Sequence, residues 1–80
     1  MNVTYYVIVP FDQDEEGDLA AGPAQEATSA GAAERGAREL ALERAGAVAF
    51  SRTGDPSIGE FQDAVILAQF GEVDLNALSE

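Results

Sequence analysis

Residues 3–11, Val-Thr-Tyr-Tyr-Val-Ile-Val-Pro-Phe, are β-branched or aromatic almost throughout. Such side chains are stiff at χ1 and pack well on a pleated, half-buried surface, so the run reads as a β-strand. Pro10 has no N–H to give to a ladder and favours an edge position for this strand. A chain of 80 residues has room for one core and one small domain. Everything else must fold against this strand.

The material for that core is scarce. The apolar fraction is 46%, but fifteen of those residues are Ala, and Leu, Ile, Val and Phe together number only 19 of 80. That is close to the level at which a highly charged chain stays disordered. There is no Cys to form a disulfide, which leaves self-association as the support for a domain this small.

Ser29 suits an N-cap, and Ala30 to Ala45 are mostly good helix formers, with Gly46 placed to end the helix as a left-handed cap. The buried face is expected at Ala33, Ala37, Leu40, Ala41 and the stem of Arg44. An alanine face lets a helix approach a sheet closely, so strand residues must fill the core: Tyr6, Ile8, Phe50, Ile66 and Phe70 are the candidates. Residues 47–53 and 60–70 read as strands joined by the turn-rich segment 54–59, and residues 19–28 read as a loop with at most a short extended piece. Residues 1–73 form one α+β domain on this reading, and residues 74–80 a loose C-terminal tail.

The expected fold is βαββ: a three-stranded antiparallel sheet in the order 1-3-2, with the helix packed on one face. This order makes all neighbours antiparallel and puts the apolar run 64–68 in the centre. Alternation places Tyr6 and Ile8 on one face, with Ile66 and Phe70. Tyr5, Val7, Val9, Val65 and Leu67 fall on the other. One helix covers one face, so these five residues are the candidate interface of a homodimer, formed through the open face or the edge of the first strand. The alternative is that residues 19–28 and the tail fold back over that face within one chain.

Four Arg and no Lys or His stand against fifteen acids, a formal net charge of −11. Such a charge repels nucleic-acid backbones and anionic membrane surfaces and suits a basic protein partner. Without Cys, His or Lys the chain lacks the common nucleophiles, the neutral-pH base and the best transition-metal ligands. The expectation is therefore a protein that is not an enzyme and carries no cofactor.

The acidic segment 12–18 is the sharpest motif. Asp12, Asp14, Glu16, Gly17 and Leu19 match positions 1, 3, 5, 6 and 8 of an EF-hand loop, which makes Asp12, Asp14, Glu16 and Asp18 candidate ligands for a weak Ca²⁺ or Mg²⁺ site. The bidentate Glu of position 12 is replaced by Pro23, and the flanks are not two helices. A solvated turn that keeps an edge strand from aggregating accounts for the same acids.

The runs Tyr5-Tyr6-Val7-Ile8-Val9-Pro10-Phe11-Asp12, Ala47-Val48-Ala49-Phe50-Ser51-Arg52-Thr53-Gly54-Asp55 and Gly59-Glu60-Phe61-Gln62-Asp63-Ala64 resemble small, acidic, uncharacterised bacterial proteins with a βαββ pattern. The resemblance spans residues 5–73. It implies a bacterial, cytoplasmic protein and carries no activity, so no residue role is transferred. The resulting expectation is a noncatalytic interaction module that dimerises through its sheet and presents an acidic surface to a basic partner. The alternatives are a Ca²⁺- or Mg²⁺-binding regulatory domain and a nucleic-acid mimic that occupies a basic protein.

Overall fold

The computed structural model describes residues 1–78. The elements are β1 (Val3–Gln13), β2 (Leu19–Ala21), β3 (Gln25–Ala27), α1 (Ala30–Ala41), β4 (Gly46–Asp55), β5 (Glu60–Phe61) and β6 (Val65–Gly71), with a 3-10 turn at Leu75–Leu78. The strands form one antiparallel sheet that curls into a half-barrel. β2 and β3 line one edge of β1, β4 lies along its other edge, and β5 and β6 follow each other along the far side of β4.

The protein is thus α+β with one helix, but the expected three-stranded sheet in the order 1-3-2 is overturned. The cause lies in residues 19–28, which a loop reading passed over because of Gly22 and Pro23. β2 and β3 carry the chain back along β1 before α1 reverses it again, so β4 enters antiparallel to β1 and pairs with it directly, from Val3↔Gly54 to Phe11↔Gly46. No strand has to come between them. The small residues of β4 take the centre of the sheet, with Ala47, Val48 and Ala49 fully buried. The more apolar β6 is left outside, with Val65 60% exposed.

Pro10 therefore sits in an interior strand. Its carbonyl accepts a hydrogen bond from the Gly22 amide at 2.8 Å, and a residue's N–H and C=O point to the same side of a strand. The nitrogen that lacks a hydrogen thus faces the break between β2 and β3, where the ladder is already interrupted. The outer edge of β1 is paired at Tyr6–Ile8 and Phe11–Gln13, so the expected association through that edge finds most of it taken by the chain's own β3 and β2.

Ser29 caps α1 as expected, its hydroxyl accepting from the Ala32 amide at 3.1 Å. The helix ends earlier than Ala45. Leu42, Glu43 and Arg44 are exposed, and the amides of Leu42 and Glu43 close short turns onto Glu39 and Leu40. Past Ala41 there is nothing apolar to hold the helix to the sheet, and Gly46 opens β4 instead of capping the helix. Ala33 and Ala37 pack on Ile8, Ala47 and Ala49, with Tyr6, Leu40, Ala41, Leu67 and Phe70 around them. The approach is close enough that a Cβ on Gly36 would press on the Ile8 side chain.

A second cluster lies on the opposite face, where Val9, Phe11 and Val48 are buried and Val7, Leu19, Phe50 and Val73 pack around them. Leu19 from β2 and Val73 from the C-terminal segment reach over that face, in line with the alternative of a chain folding back on itself. The expected 74–80 tail contains the 3-10 turn as far as Leu78; Ser79 and Glu80 lie outside the described residues. A bulge between Ala49 and Phe50 sets Ala68 opposite Ala49 but Ile66 opposite Phe50. Such a bulge reverses the alternation of the strand. Ile66 therefore shares the far face with Phe50, while Phe70, opposite Ala47, packs toward α1. The expectation that Ile66 and Phe70 share a face is corrected accordingly.

Candidate interaction surface

The far face is closed at one end and open at the other. At the closed end Phe11 is 0% exposed. Toward the start of β1, the residues on this face are Val7, Tyr5 and Val3, lying across from Phe50, Arg52 and Gly54 of β4, with Ile66 and Phe61 beyond them. Phe61 is 41% exposed and Ile66 40%.

Phe61 is held in place by its neighbours. The Tyr5 ring lies 6.1 Å from it, tilted by 47°, and the Arg52 guanidinium stands 5.8 Å from its centre, within the range of a cation–π contact. Arg52 Nε donates to the Gln62 carbonyl at 3.2 Å, and the Gln62 amide donates back to Thr53 at 2.8 Å. β5 ends at Phe61 and β6 begins at Val65, so the single strand expected over 60–70 is two.

The adjoining turn is built by Asp55, whose Oδ1 accepts from the Ser57 amide at 3.0 Å and the Ser57 hydroxyl at 2.5 Å. Its Oδ2 accepts from the Met1 ammonium at 3.0 Å. The Ser57 hydroxyl first, then the ammonium and the Ser57 amide, hold the Asp55 carboxyl below the usual aspartate value. A recess of about 320 Å³ lies here, lined by Asn2, Asp55, Ile58, Glu60, Phe61 and Gln62 among others.

The five expected interface residues do not share one surface. Val9 is buried and Val7 packs beside it in the far-face cluster. Leu67, the extra residue of the bulge, packs in the helix-side cluster. Val65 pairs with Ser51, which pairs with Tyr6, so it stands on the helix side of the sheet. Tyr5 remains on the open end. Alternation found the strand-one members but could not see the bulge. Taking residues 60–70 as one continuous strand gives no sign of the exposed Phe61, and Arg52, which the sequence suggests would pair with a hairpin carboxylate, instead stands over Phe61 and donates to the Gln62 carbonyl.

The four acidic candidates are likewise drawn apart. Asp12 lies in β1 and pairs with Arg44 at 2.5 Å. Asp14 Oδ1 accepts from the amides of Glu16 and Asp18, both at 2.9 Å, and folds the loop on itself. Gly17 takes a positive φ of 87° at the tip, a conformation that costs glycine little. Among the described residues no three Asp or Glu side chains gather as a metal site would require. Among the described residues the other acids are Glu15 in the same loop, Glu26 in β3, Glu34 and Glu39 in α1 with Glu43 just after it, Asp55, Glu60 and Asp63 around β5, and Glu72 and Asp74 after β6.

Comparison of the chain with protein-family models, with curated proteins and with solved structures finds no match in any of the three. No helix among the described residues is long and apolar enough to cross a membrane.

Proposed function

We propose that this protein is a noncatalytic interaction module that self-associates through its sheet and turns its acidic surface toward a basic partner protein. The observation that carries the reading is the open end of the far face, where Phe61 and Ile66 remain about 40% exposed on a chain poor in large apolar side chains. Apolar surface of that kind on a small protein marks contact sites. The net charge of −11 keeps copies apart elsewhere and favours fast encounter with cationic proteins. The residue types available, with no Cys, His or Lys, fit binding better than covalent or acid–base chemistry.

Light scattering across a dilution series at moderate salt tests the reading. A mass near twice the 8.4 kDa chain that falls on dilution supports it. A single-chain mass at every concentration removes the self-association.

A further inference from the structure

The outer strands of the sheet differ in how their edges are guarded. β2 and β3 are three residues each, and β3 carries Glu26. β5 is two residues and carries Glu60. β6 is seven residues, Val-Ile-Leu-Ala-Gln-Phe-Gly, with neither a charged side chain nor a proline. Among the described residues its only strand partner is β4. Charge, proline and shortness keep an edge from pairing with another chain. β6 has none of them, and its one irregularity is the extra residue Leu67.

The direction of its backbone groups follows from the neighbouring strands. The Pro10 carbonyl turns away from β4 to the Gly22 amide. Ala47, which pairs with Pro10, therefore turns its own N–H and C=O to Phe70 of β6. Bonded and non-bonded pairs alternate along an antiparallel ladder, so Gln69 points its N–H and C=O outward. Beyond Leu67, Ile66 does the same, because its neighbour Val65 faces Ser51 in the bonded phase. Among the described residues no backbone group meets them on that side. Such a row of donors and acceptors is matched in register by another extended backbone.

The charge around the edge selects what that backbone carries. Asp63 stands just before β6 and Glu72 directly after it, both exposed. One oxygen of Glu72 accepts from the Gln13 side chain at 2.9 Å, and Arg38 stands over Phe70 as the cation between the two acids. A second copy would bring the same two acids, and another charge of −11, to the seam. A segment with an uncharged centre and Lys or Arg at its ends meets Asp63 and Glu72 with opposite charge.

We infer that β6 takes an extended segment of the basic partner protein as a further strand of the sheet. The inference rests on the reading that the partner is basic, and not on self-association.

The test titrates the full chain with the peptide acetyl-Lys-Thr-Val-Thr-Val-Thr-Lys-amide and with two controls, one with Glu at both ends and one with Pro at the centre. Amide hydrogen exchange is followed residue by residue. The lysine peptide should slow exchange of the Gln69 and Ile66 amides by about tenfold or more at saturation, while the Phe70 amide, already bonded to β4, changes little. Both controls should bind about tenfold more weakly. Equal binding of the glutamate or the proline peptide overturns the charge or the strand pairing, and with it the proposal. Protection of Gln69 and Ile66 by a doubling of mass without peptide makes a second copy the occupant and likewise overturns it. Binding of the lysine peptide that leaves these two amides unchanged overturns the edge and leaves the basic partner standing. No binding of that peptide overturns both.

Discussion

Phe11 and Phe61 stand on the same face of the same sheet, one fully buried and the other 41% exposed. The residue type is the same and each lies opposite a glycine of β4, but Phe11 is flanked by strands on both sides while Phe61 sits in a two-residue strand paired only with β4. The chain also lays different segments over them. Leu19, at the start of β2, and Val73, just past β6, both lie near the Phe11 end and close it. At the Phe61 end the neighbouring segment is the 55–60 turn, which spends its polar groups on itself through Asp55 and Ser57. On a sheet this small, burial is decided by which connections pass nearby.

The strongest way to break the contrast is Phe11→Ala. It removes a fully buried ring and should cost about 3–5 kcal/mol, a large part of the roughly 5–15 kcal/mol that holds a small domain together; urea unfolding followed by circular dichroism measures it. Leu19→Ala opens the lid over the closed end. Because Leu19 is half-buried, the loss should be about 1–2 kcal/mol, below the range for a fully buried leucine. Phe61→Ala at the open end should cost less than about 1 kcal/mol of monomer stability and yet weaken self-association, so a denaturation midpoint near that of the parent together with a lowered mass is the expected signature. The Arg44–Asp12 pair, more than a third exposed on both sides, is screened by solvent, and Arg44→Ala should change stability by at most about 1 kcal/mol.

The smallest effect is that of acid on the 55–60 turn. The Asp55 carboxyl is held below its usual value, so its contribution is fully present above the ordinary aspartate range. It fades as pH falls through the lowered value, when protonation removes the Ser57 and Met1 contacts. The Ser57 amide should lose hydrogen-exchange protection in acid while the amides around Phe11 keep theirs. Equal loss at both places would remove the distinction between the two ends.

The local signals in the sequence were sound where one residue's chemistry settles the matter. The β-branched run of β1, the Ser29 cap and the alanine face of α1 lie where composition and spacing put them. The topology depended on two three-residue strands around Gly22 and Pro23, too short to show alternation and too broken by turn residues to read as anything but loop. Those strands reverse the chain one extra time and so decide which strand neighbours β1. The interface residues depended on a single extra residue, Leu67, since alternation carries no mark of where a bulge will fall. The acidic loop matched a cation-binding spacing, but spacing does not reveal that Asp14 is taken by its own backbone amides or that Asp12 faces Arg44.

The pairing of β1 with β4 also has a kinetic side. Phe11 meets Gly46 and Val3 meets Gly54, residues far apart along the chain, and both clusters hang on this ladder because each draws buried side chains from both strands. Neither cluster can assemble until that long loop has closed, and the closure entropy is lost before the contacts repay it. A fragment ending within α1 therefore has only the β1 side of either core. The chain should fold and unfold as one cooperative unit, and a cut anywhere between residues 14 and 45 that lets the pieces separate should leave neither one able to hold its shape.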